Sequence, residues 1–125
     1  GKKIVIVGKG RLVGAPLEKH WLAAELDVSS LDDTVKDLGA ELKVADVIVS
    51  AAGQAGIITS SMVKQDAFVV DAGVAAGKNG LVGDVNDDVR SRSDVRITPK
   101  VGGVGPLTIA ALFENLLQAA SKCIK

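Results

Sequence analysis

The sequence predicts a three-layer α/β fold in which helices cover both faces of a doubly wound, mostly parallel β-sheet. Short β-branched runs alternate with longer segments of helical spacing, a pattern typical of βαβ units. The runs themselves are almost continuously apolar, as strands buried on both faces are. The 125 residues suffice for one hydrophobic core and are too few for two. We therefore expect a single domain over residues 1–125.

The predicted strands are runs rich in valine and isoleucine. The strongest are residues 4–7, 47–49 and 68–70, and the weaker ones are residues 26–30 and 95–97. Between and after them, polar and turn-rich composition predicts loops or short irregular elements at residues 77–80 and 86–94.

Helical spacing of apolar residues predicts three helices. The first covers residues 16–24, and the second carries Val35, Leu38 and Leu42 at helical spacing. Both are expected to be crossover helices between parallel strands. Pro106 occupies a first-turn position of the last helix, whose apolar stripe is Ile109, Leu112, Phe113, Leu116, Leu117 and Ala120.

Composition argues against several classes of function. Fifteen basic residues balance fifteen acidic ones, so the chain has no overall positive field for nucleic acid or an anionic membrane. No apolar run approaches the roughly 20 residues needed to span a bilayer. One histidine, one cysteine and no tyrosine argue against a zinc cluster or a Cys-His nucleophile, and we assign no catalytic or metal-binding residue. The lone cysteine fits a reducing compartment, so we expect a cytoplasmic protein.

A glycine-rich loop separates the first strand from the first helix. Its spacing is G-x-G-x-x-x-G, one residue longer than the usual dinucleotide fingerprint of a Rossmann-like fold. Glycines let backbone N–H groups approach a pyrophosphate, and the helix N-terminus adds partial positive charge. The alternative is a tight turn without a ligand. The candidate cofactor-binding residues here are Gly8, Lys9, Gly10, Arg11, Leu12, Val13, Gly14 and Pro16.

Charged residues near this loop leave the choice between NADP and NAD open. Lys9 and Arg11 suit phosphate oxygens, including a ribose 2′-phosphate. Asp32 and Asp33 follow the second predicted strand, where an acidic residue accepts hydrogen bonds from an unphosphorylated ribose. Either aspartate equally suits the cap of a helix beginning near Thr34. The aspartates give a slight preference for NAD.

Small residues follow two other predicted strands and precede the last helix. Ligands of open α/β sheets lie across the carboxyl ends of the strands, so these segments are expected to converge with the first loop. Asp71 is more typical of a turn or cap than of a direct contact. The further candidate cofactor-binding residues are Ala51, Ala52, Gly53, Val74, Gly102, Gly103, Val104 and Thr108.

Six ordered segments resemble the NAD(P)-binding half of the methylenetetrahydrofolate dehydrogenase/cyclohydrolase family. The most specific is the run from Ile97 to Thr108, with the pair Glu114 and Asn115 in the helix after it. The chain departs from the family where Lys9 and Gly10 replace the usual Arg-Ser, and where Lys100 and Val101 replace Val-Pro. The supporting segments are residues 7–16, 45–46, 62–64, 70–74 and 81–85.

The resemblance implies a role in folate chemistry for a larger protein. It implies hydride transfer from 5,10-methylenetetrahydrofolate to NAD or NADP, with cyclohydrolase activity in the full protein. Folate would bind through a separate N-terminal domain outside residues 1–125, and the full protein would be a homodimer. By resemblance, backbone groups near Val74 and Val104 hold the nicotinamide carboxamide. Residues 1–125 without the folate-binding domain are expected to be inactive. The alternative is a noncatalytic NAD(P)-binding or sensing module.

Overall fold

The computed structural model describes residues 1–123. Strands and helices alternate through the first half of the chain, and a hairpin, a short helix and a long helix complete it. In chain order the elements are β1 Ile4–Val7, α1 Gly14–Ala23, β2 Val28–Leu31, α2 Leu38–Lys43, β3 Val47–Ser50, a 3₁₀ turn at Ser60–Met62, β4 Phe68–Asp71, β5 Ala75–Gly77, β6 Gly80–Val82, α3 Asp87–Arg90, β7 Arg96–Ile97 and α4 Val104–Cys123.

The main sheet has five parallel strands in the order β2-β1-β3-β4-β7. Register aligns the ends of four strands, because Leu31 and Ser50 both pair with Val7, and Ser50 also pairs with Asp71. The chain runs from β1 outward to β2 and then back across β1 to β3, so the strand order reverses at β1 and β3. Ligands of doubly wound sheets bind at such a reversal.

Burial on both sides of the sheet explains why the predicted strands read as continuous apolar runs. Every residue of β1 is buried, and alternate side chains point to opposite faces. Val5, Val7 and Ile48 join one core cluster with Leu42 of α2. Ile6 is fully buried as well and lies outside that cluster. The expected doubly wound, mostly parallel α/β fold is confirmed.

Several element boundaries differ from the sequence prediction. The second strand begins two residues later than expected, at Val28, because Leu26 directly follows the turn at residues 24–25 and is exposed. The second helix begins at Leu38 and leaves Val35 outside it. Of the predicted loop at residues 77–80, only residues 78–79 form a turn, because Gly77 and Gly80 pair with each other as the ends of the antiparallel strands β5 and β6. Residues 86–94 contain the short helix α3.

The last helix is longer and more exposed than the others. It begins at Val104, so Pro106 lies in the first turn as predicted. From Gly105 to Cys123 every residue is exposed, including the apolar stripe; Leu112 is 68% exposed and Phe113 is 62% exposed. Among residues 1–123, no helix combines the length and apolar character required to cross a membrane.

Candidate functional site

A cavity of about 550 Å³ lies at the aligned carboxyl ends of β1, β2 and β3. The loops that follow these three strands form its walls, at the point where the strand order reverses. Of the sequence-predicted candidates, seven line it: Gly8, Lys9, Gly10, Asp32, Asp33, Ala51 and Ala52. The remaining lining residues are Val7, Leu31, Val35, Leu38, Gln54 and Ile57.

The glycine loop packs closely against its surroundings at two of its glycines. Gly8 has a φ of +103°, and a Cβ atom there would lie 2.5 Å from the carbonyl oxygen of Ala51. A Cβ atom on Gly14 would overlap the carbonyl oxygen of Gly8. Gly10 differs, since a Cβ there would meet nothing within 4 Å. Gly8 and Gly14 are therefore required by the fold, whereas a side chain on Gly10 would have open space.

Backbone donors of this loop have no partner in the protein. Within residues 1–123, the N–H groups of Lys9, Gly10 and Arg11 donate to no backbone or side-chain acceptor. No side chain caps α1, because the residue before it is Val13. Unpaired N–H groups beside a helix N-terminus form an anion-binding arrangement, and Lys9 and Arg11 add two exposed cations.

Asp32 forms a local turn at the opposite wall of the cavity. Its carboxylate accepts hydrogen bonds from the Thr34 hydroxyl, at 2.5 Å, and from the Thr34 N–H, at 3.0 Å. These bonds, with a smaller contribution from the Lys9 ammonium, lower the pKa of Asp32 below its ordinary value of 3.8. The expected helix cap was misplaced: no helix begins at Thr34, and the N-cap of α2 is Asp37, which accepts from the Ala40 N–H at 2.9 Å.

Asp84 was not singled out from the sequence, yet it organises the loop after β3. Its side chain is fully buried. One carboxylate oxygen accepts hydrogen bonds from the Ser50 hydroxyl (2.6 Å), the Ala52 N–H (2.7 Å) and the Gly53 N–H (3.3 Å). The other accepts from the Gln54 N–H at 2.8 Å. Asp84 lies within the segment 81–85 that carries the resemblance, but nothing local in the sequence indicates which loop its carboxylate contacts.

Asp71 connects the end of β4 to the segment around Asp84. Its carboxylate accepts from the N–H groups of Gly73, Asp84 and Val85 and pairs with the Arg90 guanidinium at 2.7 Å. Arg90 also donates to the Thr98 carbonyl oxygen at 2.6 Å. The turn-like role expected for Asp71 is confirmed, and the ion pair extends it to the segment that leads toward Gly102.

The other candidate residues do not line the cavity. Val74 is 62% exposed and lines a separate hollow of about 200 Å³ with Pro99, Lys100 and Val101. Gly102 has a φ of +75°, and Gly103 packs beside the Pro99 carbonyl oxygen. The Thr108 hydroxyl donates to the Val104 carbonyl oxygen within α4. Outside the 550 Å³ cavity lie Arg11, Leu12, Val13, Gly14, Pro16, Gly53, Val74, Gly102, Gly103, Val104 and Thr108.

The groups on the cavity walls are suited to binding and orienting a ligand. Its walls offer unpaired N–H groups, one ammonium and two carboxylates. In the described part of the chain, no group of three or more His, Cys, Asp or Glu side chains is arranged to hold a metal ion.

Comparisons with known proteins agree with this geometry. The family described as "Tetrahydrofolate dehydrogenase/cyclohydrolase, NAD(P)-binding domain" matches residues 1–124. The bifunctional protein FolD of Moorella thermoacetica is 40% identical over 123 residues, covering 98% of this chain and 44% of that protein.

Solved structures of relatives have the same fold. The bifunctional FolD methylenetetrahydrofolate dehydrogenase/cyclohydrolase of Campylobacter jejuni superposes with a TM-score of 0.90 at 40% identity, covering 99% of this chain and 44% of that one. The Trypanosoma brucei enzyme, solved in complex with NADP and an inhibitor, gives 0.88 at 32% identity, covering 100% of this chain and 45% of that one. The chain thus spans less than half the length of these relatives. Since the family match extends over nearly every residue, the chain belongs to the NAD(P)-binding domain family of the tetrahydrofolate dehydrogenase/cyclohydrolases.

Proposed function

We propose that this chain binds a nicotinamide dinucleotide in the 550 Å³ cavity, with the pyrophosphate against the glycine loop. The observation that carries the proposal is the set of unpaired N–H groups at Lys9, Gly10 and Arg11, located where the strand order reverses. Bound there, the cofactor would supply hydride acceptance, and the protein would supply position.

We propose further that NAD is preferred to NADP. Asp32 and Asp33 line the wall at the end of β2, and an aspartate carboxylate is ionised at neutral pH. A carboxylate accepts hydrogen bonds from ribose hydroxyls and repels a 2′-phosphate. Lys9 is the observation that favours NADP, because it lines the same cavity as Asp32 and Asp33 and its ammonium suits the oxygens of a 2′-phosphate.

The test is a pair of titrations with NAD and NADP. Binding is followed by fluorescence of the lone tryptophan, Trp21 in α1, and by calorimetry. We expect NAD to bind at least about tenfold more tightly than NADP, which corresponds to roughly 1.4 kcal/mol between the two ligands. The double substitution Asp32→Asn with Asp33→Asn should reduce that preference.

Asp66→Asn is the matched control, because this exposed aspartate precedes the amino end of β4, whereas the cavity lies at the carboxyl ends of the parallel strands. It should leave both affinities unchanged. If neither dinucleotide binds at millimolar concentration, the binding proposal is wrong. If NADP binds more tightly, only the preference is wrong.

The nicotinamide end is proposed to lie toward Val74 and the turn that begins at Gly102. Val74 shares the 200 Å³ hollow with Pro99, Lys100 and Val101, the residues that lead into that turn. Gly53 supports the connection, since a Cβ there would lie 3.5 Å from the Val74 carbonyl oxygen. The two segments would flank the nicotinamide, and Val104 and Thr108 would follow at the start of α4.

For the whole protein, we propose methylenetetrahydrofolate dehydrogenase and methenyltetrahydrofolate cyclohydrolase activity in a cytoplasmic homodimer that binds neither nucleic acid nor membrane. Folate would bind through a further domain, as the greater length of the relatives suggests. The exposed apolar stripe of α4 supports association with a further domain or a second subunit, since exposed apolar patches mark interaction sites. NAD(P)-dependent oxidation of 5,10-methylenetetrahydrofolate by the full protein tests the proposal; cofactor binding without turnover would favour a noncatalytic module.

A further inference from the structure

The buried carboxylate of Asp84 fixes the direction of three consecutive peptide groups in the loop after β3. It accepts hydrogen bonds from the N–H groups of Ala52, Gly53 and Gln54. In a trans peptide the carbonyl points opposite to the N–H of the next residue, and no cis peptide is present in residues 1–123. The carbonyl groups of Ala51, Ala52 and Gly53 therefore point away from Asp84.

These three carbonyl oxygens are unpaired. Across residues 1–123, none of them accepts a backbone or side-chain hydrogen bond. That of Ala51 faces the glycine loop, since it lies 2.5 Å from where a Cβ atom on Gly8 would be. Ala51 and Ala52 both line the cavity. This wall thus presents acceptors, whereas the adjoining glycine loop presents donors.

We propose that Asp84 is a positioning residue that turns the carbonyls of Ala51 and Ala52 toward the bound dinucleotide. The ligand groups that this wall would take are hydrogen-bond donors, namely ribose hydroxyls or an amide, and a phosphate is disfavoured there. The inference rests on the proposed binding of a dinucleotide in the same cavity.

A second carboxylate keeps Asp84 itself in place. Asp71 accepts from the Asp84 N–H at 3.1 Å and is paired with Arg90; the two side chains are 4% and 16% exposed. A Cβ atom on Gly73 would overlap the Asp84 carboxylate, and one on Gly83 would overlap the Asp71 carboxylate. Each aspartate thus occupies the space left by a glycine beside the other, so the two carboxylates form one rigid unit.

Asp84→Asn tests the proposal without changing side-chain size. The new NH₂ group is a donor facing donors, so at least one loop N–H loses its partner. We expect the Kd for NAD to rise at least about tenfold at a temperature where circular dichroism shows the variant folded, because the acceptors facing the ligand are no longer held. Hydrogen exchange at the N–H groups of Ala52, Gly53 and Gln54 should accelerate in the same variant.

Ser50→Ala is the comparison that separates positioning from stability. It removes a donor to the same carboxylate, at 2.6 Å, but no N–H of the loop. We expect a lower unfolding midpoint, with a Kd for NAD within about twofold of wild type. If both variants weaken NAD binding equally in the folded state, Asp84 acts through stability alone and the proposal is wrong.

A measurement on the unmodified chain covers the case in which Asp84→Asn does not fold. On saturation with NAD, the carbonyl ¹³C resonances of Ala51 and Ala52 should shift, while the N–H groups of Ala52, Gly53 and Gln54 remain protected from exchange. Unshifted carbonyl resonances would overturn the inference. Failure of the wild type to bind either dinucleotide overturns the proposed function together with this inference, whereas NAD binding that Asp84→Asn leaves unchanged overturns the inference alone.

Discussion

Two glycines of the same loop respond oppositely to the same added methyl group. A Cβ on Gly14 would overlap the Gly8 carbonyl oxygen and approach the Lys9 Cα to 3.2 Å. These are backbone atoms, so Gly14→Ala must displace the loop or the start of α1. A Cβ on Gly10 would have nothing within 4 Å, and the φ of Gly10 lies outside the left-handed region. Gly10→Ala therefore strains nothing in the free protein.

The magnitudes follow from this contrast. Overpacking typically lowers the free energy of unfolding by about 1–3 kcal/mol. Because the atoms that the new methyl group would meet are rigid backbone atoms, we expect Gly14→Ala to cost about 3 kcal/mol, which corresponds to a fall of roughly 10 °C in Tm. Gly10→Ala should raise stability by about 0.5 kcal/mol, because alanine restricts the unfolded chain. Since Gly10 lines the cavity, the methyl group of the Gly10→Ala variant would take up space needed by a pyrophosphate bound against the loop as proposed. The Kd for NAD should rise at least about tenfold.

The assays are urea unfolding for stability and calorimetric titration for affinity, both on the two single variants and wild type. The expected pattern is a Gly10→Ala protein that unfolds at slightly higher urea and binds NAD poorly. Unchanged affinity in Gly10→Ala would show that no ligand lies against this loop. Equal destabilisation of both variants would refute the packing argument at Gly14.

Two further predictions concern charged groups. The Lys64 ammonium and the Lys3 N–H lower the pKa of Asp46 below 3.8. The charged carboxylate therefore stabilises the folded state at pH values above 3.8. This stabilisation is lost as the pH falls through the lowered pKa of the folded state. Urea unfolding of wild type and Asp46→Asn from pH 7 to 3 should show a stability difference that narrows only in acid; a constant difference would contradict this. Arg90→Ala leaves the Asp71 carboxylate, 4% exposed, without its cation and should lower the free energy of unfolding by about 3 kcal/mol; a loss below about 1 kcal/mol would contradict the buried pair.

The strands that sequence reasoning predicted well are those whose burial is uniform. β1 is apolar at every position because helices and loops cover both of its faces. The strand can therefore be predicted from its sequence without knowledge of the tertiary structure. β2 is an edge strand of half-buried residues, including Ser29 and Ser30. Its mixture of apolar and polar residues does not indicate where the strand begins or ends. The start of α2 was missed for a different reason: Asp32 forms an Asx-type turn that resembles a helix cap in sequence, and Asp37 is the cap.

The unpredicted part of the candidate site depends on contacts between distant residues. Asp84 lies 34 residues from Ser50 and 30 from Gln54 along the chain, and no local pattern pairs them. Gly73 and Gly83 are equally uninformative alone, because the space that each leaves is filled by a carboxylate from the other segment. In the glycine loop the signal was local, since strand, loop and helix are consecutive and the sheet topology then determines where the loop lies.

Unpaired backbone groups make two walls of the cavity chemically different, because one wall offers N–H donors and the other offers carbonyl acceptors. The buried carboxylate of Asp84 accepts hydrogen bonds from the N–H groups of Ala52, Gly53 and Gln54, while those of Lys9, Gly10 and Arg11 have no partner within residues 1–123. Anions are thus attracted to one wall, and the carbonyl acceptors of the other wall attract hydrogen-bond donors. A dinucleotide has both kinds of group, with phosphates at its centre and hydroxyls and an amide outward. Because the two walls differ in sign, backbone groups would help to orient a dinucleotide bound as proposed, with its phosphates at the glycine loop and its hydrogen-bond donors at the carbonyl wall.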